Sequence, residues 1–190
     1  MKPSNQHILE TLIINKDYRE AKIVVKSFDE LRKIIEDRYD KLGAGTEQNP
    51  INFNDIDVSN LDSFCNDKGK GIFEGTKFKY IDISSWDVSN IKSMRSMFHW
   101  CKKLKSVGDI SEWDVSNVTD MQYMFCKVVN FNQDISKWDV SSVENMEAMF
   151  KDCKKFNQDI SKWNVKKVND MHNMFCNCVS FNRDISKWDV

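Results

Sequence analysis

Apolar residues in this chain recur at long, regular intervals. From Asp82 onward the string Asp-Ile-Ser-x-Trp appears five times, ending at Trp86, Trp113, Trp138, Trp163 and Trp188, with separations of 27, 25, 25 and 25 residues. A second string, Val-x-x-Met-x-x-Met-Phe, follows: Val118, Met121, Met124, Phe125, then Val143, Met146, Met149, Phe150, then Val168, Met171, Met174, Phe175. The first copy reads Ile91, Met94, Met97, Phe98, and six residues past each phenylalanine stands Leu104, Phe131, Phe156 or Phe181. Self-similarity at one period is the mark of stacked units, none of which can bury its apolar face alone.

Within a unit, Val143, Met146, Met149 and Phe150 lie at i, i+3, i+6 and i+7, which predicts one face of a short helix. Ser141 with Glu144 three residues on resembles a capping box; Ser89 and Ser116 hold the same place, and Lys166 takes it in the fourth unit. The Ile-Ser-x-Trp-x-Val stretch predicts a short strand running into a bend. Together these give an α/β, leucine-rich-repeat-like right-handed solenoid of about 25-residue coils. Its full coils are 82–108, 109–133, 134–158 and 159–183, with a partial coil over 184–190. The 27-residue coil carries its extra residues between Leu104 and Asp109. Equivalent side chains about 4.8 Å apart would form ladders of Ile, Trp and Phe.

Ahead of the repeats, Ser27-Phe28-Asp29-Glu30 is a capping box opening an amphipathic helix through Leu31, Ile34, Ile35 and Leu42, stopped by Gly43. Ile23-Val24-Val25 reads as a strand and residues 5–14 as an earlier helix. Asp57-Val58-Ser59-Asn60-Leu61 matches Asp87-Val88-Ser89-Asn90-Ile91, so 55–81 is a degenerate first coil, interrupted by Asn66-Asp67-Lys68-Gly69-Lys70-Gly71. Residues 1–54 are expected to form an N-terminal α/β cap, and 55–190 the solenoid.

Phe131-Asn132-Gln133-Asp134-Ile135-Ser136-Lys137-Trp138-Asp139-Val140-Ser141, followed by Val143, Met146, Met149 and Phe150, resembles the BspA-type leucine-rich-repeat surface proteins, in the form of the tandem repeat of mycoplasma lipoproteins. The resemblance covers about residues 55–190. It implies surface-exposed or secreted adhesion and binding modules, and it carries over no catalytic residues.

Composition narrows the function classes. The net charge is -1, so no global basic field recruits nucleic acid or an anionic membrane. No stretch approaches the roughly 20 apolar residues of a membrane span. The opening residues lack the basic-then-apolar layout of a secretory signal, so the expectation is a cytoplasmic protein as written, surface-exposed or secreted if a signal was removed.

Cys101, Cys153 and Cys178 share one repeat position with Val128, which predicts small buried apolar sites with unpaired thiols; a bridge between stacked Cys153 and Cys178 is the alternative. Cys126 and Cys176 share a position with His99 and Lys151, which suggests exposure. Asp109, Asp134, Asp159 and Asp184 are expected to cap turns, since stacked carboxylates would otherwise repel. The histidines His7, His99 and His172 are scattered, and no Ser/His/Asp or Cys/His set falls at repeat-compatible positions. The reading is therefore not an enzyme, with no cofactor and no metal.

What remains is binding. A protein partner held on the solenoid surface is the first expectation; a phage- or virus-borne inhibitor of a host protein and a nucleic-acid binder on a lysine-rich edge are alternatives. Lys102, Lys103 and Lys105 begin that edge. The candidate contacts are Lys151, Lys154, Lys155, Lys162, Lys166, Lys167 and Trp188. Trp188 belongs to an unfinished coil, which invites a second copy tail to tail as a homodimer.

Overall fold

The computed structural model describes residues 22–190, and the helix expected over 5–14 lies outside them. Strand β1 (Ile23–Val24) leads into helix α1 (Phe28–Leu42). Its N-terminus is capped as the local sequence dictates: Ser27 Oγ accepts the Glu30 N–H at 3.2 Å, and Glu30 Oε2 accepts the Lys26 N–H at 2.7 Å. Gly43, at φ 75°, ends the helix by donating its N–H to the Tyr39 carbonyl. Leu31 and Ile35 are fully buried among core residues that include Val25, Phe53 and Phe73.

Strands β2 (Ile51–Asn52), β3 (Ile56–Asp57) and β4 (Ile81–Asp82) form two short parallel pairs, β1 with β3 and β2 with β4. The second register sets Ile51 beside Ile81 and Asn52 beside Asp82. Later copies are linked by single parallel bridges that pass from Ser63 to Ser93, Asp120, Asn145 and Asp170. Each copy thus lies beside the next in register.

The segment predicted as a helical turn is not helical. Between Met94 and Trp100, alternate N–H groups leave the copy: Met94, Ser96, Phe98 and Trp100 donate to the carbonyls of Asp120, Gln122, Met124 and Cys126 at 2.8–3.0 Å. The donors between and just after them close four-residue turns, Met97 to Met94, His99 to Ser96 and Cys101 to Phe98. The next two junctions repeat this ladder, through Met121, Tyr123, Phe125 and Lys127, then Met146, Ala148, Phe150 and Asp152. A helix would satisfy its donors internally and leave none for the neighbour. The alternation requires left-handed backbone at two places per copy: Ser96 and Trp100, Tyr123 and Lys127, Ala148 and Asp152, Asn173 and Asn177 all have φ between 51° and 66°.

The predicted strand in Ile-Ser-x-Trp-x-Val is likewise replaced by two tight turns, Trp138 N–H to Ile135 and Val143 N–H to Val140. Aspartates hold both. Asp134 Oδ1 accepts the Ser136 N–H at 2.9 Å and Asp139 Oδ1 accepts that of Ser141 at 3.0 Å, so Ser141 caps no helix. The N–H, then the hydroxyl, of Ser111 and Ser136 hold Asp109 and Asp134 below the usual carboxylate range. The hydroxyl, then the N–H, of Ser59, Ser116, Ser141 and Ser161 do the same for Asp57, Asp114, Asp139 and Asp159. A lowered folded-state pKa stabilises the fold above the unfolded value and is lost as pH falls through the folded value. The melting temperature is therefore expected to fall steadily from about pH 5 to about pH 2. A flat thermal-denaturation profile over that window would contradict these turns.

Inside the stack, Met94, Met97, Phe98, Met121, Met124, Phe125, Met146, Met149 and Phe150 are all fully buried. Phe73, Phe98, Phe125, Phe150 and Phe175 form one column of near-parallel rings with centroids 5.4–5.9 Å apart. Phe131, Phe156 and Phe181 form a second, and each packs on the first within its own copy, as Phe125 does on Phe131 at 3.8 Å. The repeated tryptophans are core residues with a polar tie. Trp138 Nε1 donates to Ile110 O at 2.8 Å, and Trp163 and Trp188 reach Ile135 and Ile160 in the same way. Trp113 Nε1 is buried and has no partner among the described residues. The carbonyl that the pattern assigns to it, Ile83 O, belongs to the copy with two extra residues. Trp138→Phe should therefore cost about 1 kcal/mol more than Trp113→Phe, the net worth of one hydrogen bond. Equal costs in urea denaturation would show that this tie carries no energy.

Candidate functional site

The left-handed positions bring one edge of the stack together. Trp100 and Lys127 occupy the same place in successive copies, after Gly75 and before Asp152 and Asn177, and each backbone N–H reaches the next copy. Trp100 is 43% exposed, and two ammonium groups lie over its ring, Lys127 Nζ at 3.7 Å from the centroid and Lys102 Nζ at 4.3 Å. Such cation–π contacts hold both lysines and the indole in place.

Beside this trio His99 stacks on Tyr123, with centroids 5.6 Å apart, and its Nδ1 lies 3.3 Å from Glu74 Oε1. Burial lowers the His99 pKa, and the Glu74 carboxylate only partly opposes it. Tyr123 Oη donates to Glu147 Oε1 at 2.5 Å, which raises its own pKa, and Gln122 Nε2 donates to Glu147 Oε2. These groups come from four successive copies, and Gln122 Oε1 is buried with no partner among the described residues. The cluster orders this edge.

The lysines named from sequence divide between separate turns. Lys154 and Lys155 are exposed in the turn that corresponds to Lys102 and Lys103, and half-buried Lys151 follows Cys126 in the His99 column. Lys162 sits in the turn before Trp163; Lys166 and Lys167 sit in the turn before Val168, where Lys166 Nζ is 3.4 Å from Asp189 Oδ2. The structure thus joins Lys151, Lys154 and Lys155 to the Trp100 edge and leaves the other three elsewhere. Trp100, Tyr123, Lys127 and Glu147 are not singled out by the sequence reading. The available signal was the departure of Trp100 from a column otherwise held by Gly75, Lys127, Asp152 and Asn177.

Trp188 is half-buried, stacks on Trp163 and lines an apolar groove of about 690 Å³ with Met171, Met174, Phe175 and Ile185. The N–H groups of Met171, Asn173, Phe175 and Asn177, equivalent to those that bind the next copy, make no hydrogen bond among the described residues. A symmetric tail-to-tail contact would set these donors against the same donors of a second copy.

All six cysteines are free. Cys101, Cys153 and Cys178 are buried, and each Sγ donates to a carbonyl of the preceding copy, Phe73, Phe125 and Phe150, at 2.7–3.0 Å. Burial raises their pKa values, to about 11 for Cys101 and Cys178. Cys126 is buried rather than exposed, with its thiol pushed up to about 11, and Cys176 is half-buried. A thiol is short beside His99 and Lys151, the taller neighbours in its column. Among the described residues no group of three or more His, Cys, Asp or Glu side chains could hold a metal ion.

No match emerges from comparison with curated proteins or with solved structures. The family described as "Mycoplasma protein of unknown function, DUF285" matches residues 46–108 and 104–190, the whole of the repeated region, and the chain belongs to that family.

Proposed function

We propose that this protein is a non-enzymatic binding scaffold: a leucine-rich-repeat-like right-handed solenoid of the BspA-type surface-protein kind that holds a partner protein on its edge. One observation carries the reading. The interior of the copies is closely similar, with Met and Phe at fixed places, while the edge changes from copy to copy, as Trp100, Lys127, Asp152 and Asn177 do in one column. An interior that repeats builds the scaffold, and an edge free to differ is where a partner can be recognised. The Glu74–His99 and Tyr123–Glu147 pairs, with His99 stacked on Tyr123 between them, support the reading by holding this edge in one shape. No described helix is long and apolar enough to cross a membrane.

The test is site-directed photocrosslinking in lysate of the producing organism. Benzoylphenylalanine is placed singly at Lys102, Lys137 and Lys166, which lie on three different turns. Protein adducts from one turn and not the others are expected. Adducts with nucleic acid alone, or no protein adduct from any turn, would defeat the scaffold reading.

A further inference from the structure

We infer that the edge centred on Trp100 is a docking ridge for an acidic, extended peptide segment of a partner protein. The inference rests on the scaffold reading and names its surface and the chemistry of its ligand. Lys102, Lys103, Lys127, Lys151, Lys154 and Lys155 all lie on the turns that follow the buried phenylalanines of three successive copies. The copies are locked together at this edge: Trp100 N–H donates to Cys126 O, Lys127 N–H to Lys151 O, and Lys155 N–H to Val129 O. Asp152 is the one acid among those turns, and the Asn177 side chain already donates to it at 2.8 Å. The ridge is therefore locally cationic in a chain whose net charge is -1.

Trp100 marks the centre for a separate reason. It holds φ 61° where a neighbouring copy uses Gly75, and it leaves 43% of its surface exposed. A bulky aromatic is disfavoured in left-handed backbone, and the ring here is only partly buried in return. An exposed indole of this kind is the residue type that anchors interfaces. The adjoining lysines supply the charge complementarity that selects an acidic partner and speeds its encounter.

A peptide fits better than a nucleic acid. Base stacking needs an open aromatic face, whereas Lys102 and Lys127 already lie over the Trp100 ring, and His99 and Tyr123 are stacked on each other. A long polyanion would also meet Glu74 and Glu147 beside the ridge, with no global positive field to offset them. A short acidic segment can pair with the lysines and lay an apolar side chain along the indole edge.

The experiment is fluorescence anisotropy on the full chain with three labelled probes: a dodecapeptide of alternating Glu and Leu, its Gln-Leu counterpart, and a twelve-nucleotide oligothymidylate. Binding of the Glu-Leu peptide is expected at 50 mM salt, weakened at least tenfold at 300 mM or by Lys102→Ala with Lys127→Ala. Trp100→Gly, which eases the backbone and so preserves folding, should weaken it similarly; Lys166→Ala with Lys167→Ala should not. The inference is overturned if the Glu-Leu peptide does not bind, if the Lys102/Lys127 variant binds as the parent does, or if the Lys166/Lys167 variant loses as much. It is also overturned if oligothymidylate binds more tightly with the same lysine dependence. Failure here alongside protein crosslinks from Lys137 or Lys166 removes only the ridge; failure of all three crosslinking positions removes the scaffold as well.

Discussion

Phe150→Ala is expected to lower the unfolding free energy by about 3–5 kcal/mol, the cost of emptying a fully buried aromatic site. The Phe150 ring is stacked on Phe125, Phe156 and Phe175 at centroid distances of 5.9, 4.0 and 5.9 Å. Its removal opens a cavity inside two columns at once, and the flanking backbone is held on both sides by ladder hydrogen bonds, Phe125 N–H to Met149 O and Phe150 N–H to Met174 O. Collapse around the void is therefore resisted, which places the cost in the upper part of the range. Phe175→Ala removes the same atoms from a half-buried ring at the next position and should cost markedly less. Urea denaturation of both variants checks the contrast. Equal losses would mean that the stacked interior does not transmit the strain as its packing implies.

Ala148→Gly is expected to leave stability unchanged or raise it by up to about 1 kcal/mol, and Ala148→Val to lower it by about 2–4 kcal/mol. Ala148 is buried and holds φ 51°, where any Cβ is disfavoured and a β-branched one strongly so. Its N–H donates to His172 O at 2.8 Å, so the backbone cannot leave the left-handed region without breaking the ladder. Valine adds volume to a closed interior as well as crowding the backbone. The glycine variant separates the two readings of this segment by sign. In a helix interior Ala→Gly would cost about 1 kcal/mol. A loss of that size on thermal or chemical denaturation would restore the helical reading and overturn the alternating turns.

How much of this was legible from sequence follows from the range of the forces involved. The period, the buried residues and the α1 boundaries rest on short-range information. Ser27 and Gly43 act within one helical turn of themselves, and an apolar position recurring every 25 residues must be buried whatever backbone carries it. The Asp-x-Ser turns are equally local, since the carboxylate reaches an N–H only two residues ahead.

The conformation of Val-x-x-Met-x-x-Met-Phe is another matter. Spacings of three and four are shared by a helix and by a chain of successive four-residue turns, and local propensity favours the helix. What decides between them is the neighbouring copy: its carbonyls at Asp120, Gln122, Met124 and Cys126 accept every second N–H from the copy before, a gain no isolated segment can realise. Burial of Cys126 and assembly of Trp100, Lys102 and Lys127 on one edge have the same origin. The amino-acid sequence by itself determined the repeat, its apolar interior and helix α1, because those depend on composition and near neighbours. Only the tertiary structure decided the left-handed backbone and the shape of the edge, because both are stabilised by hydrogen bonds between residues about one full repeat apart.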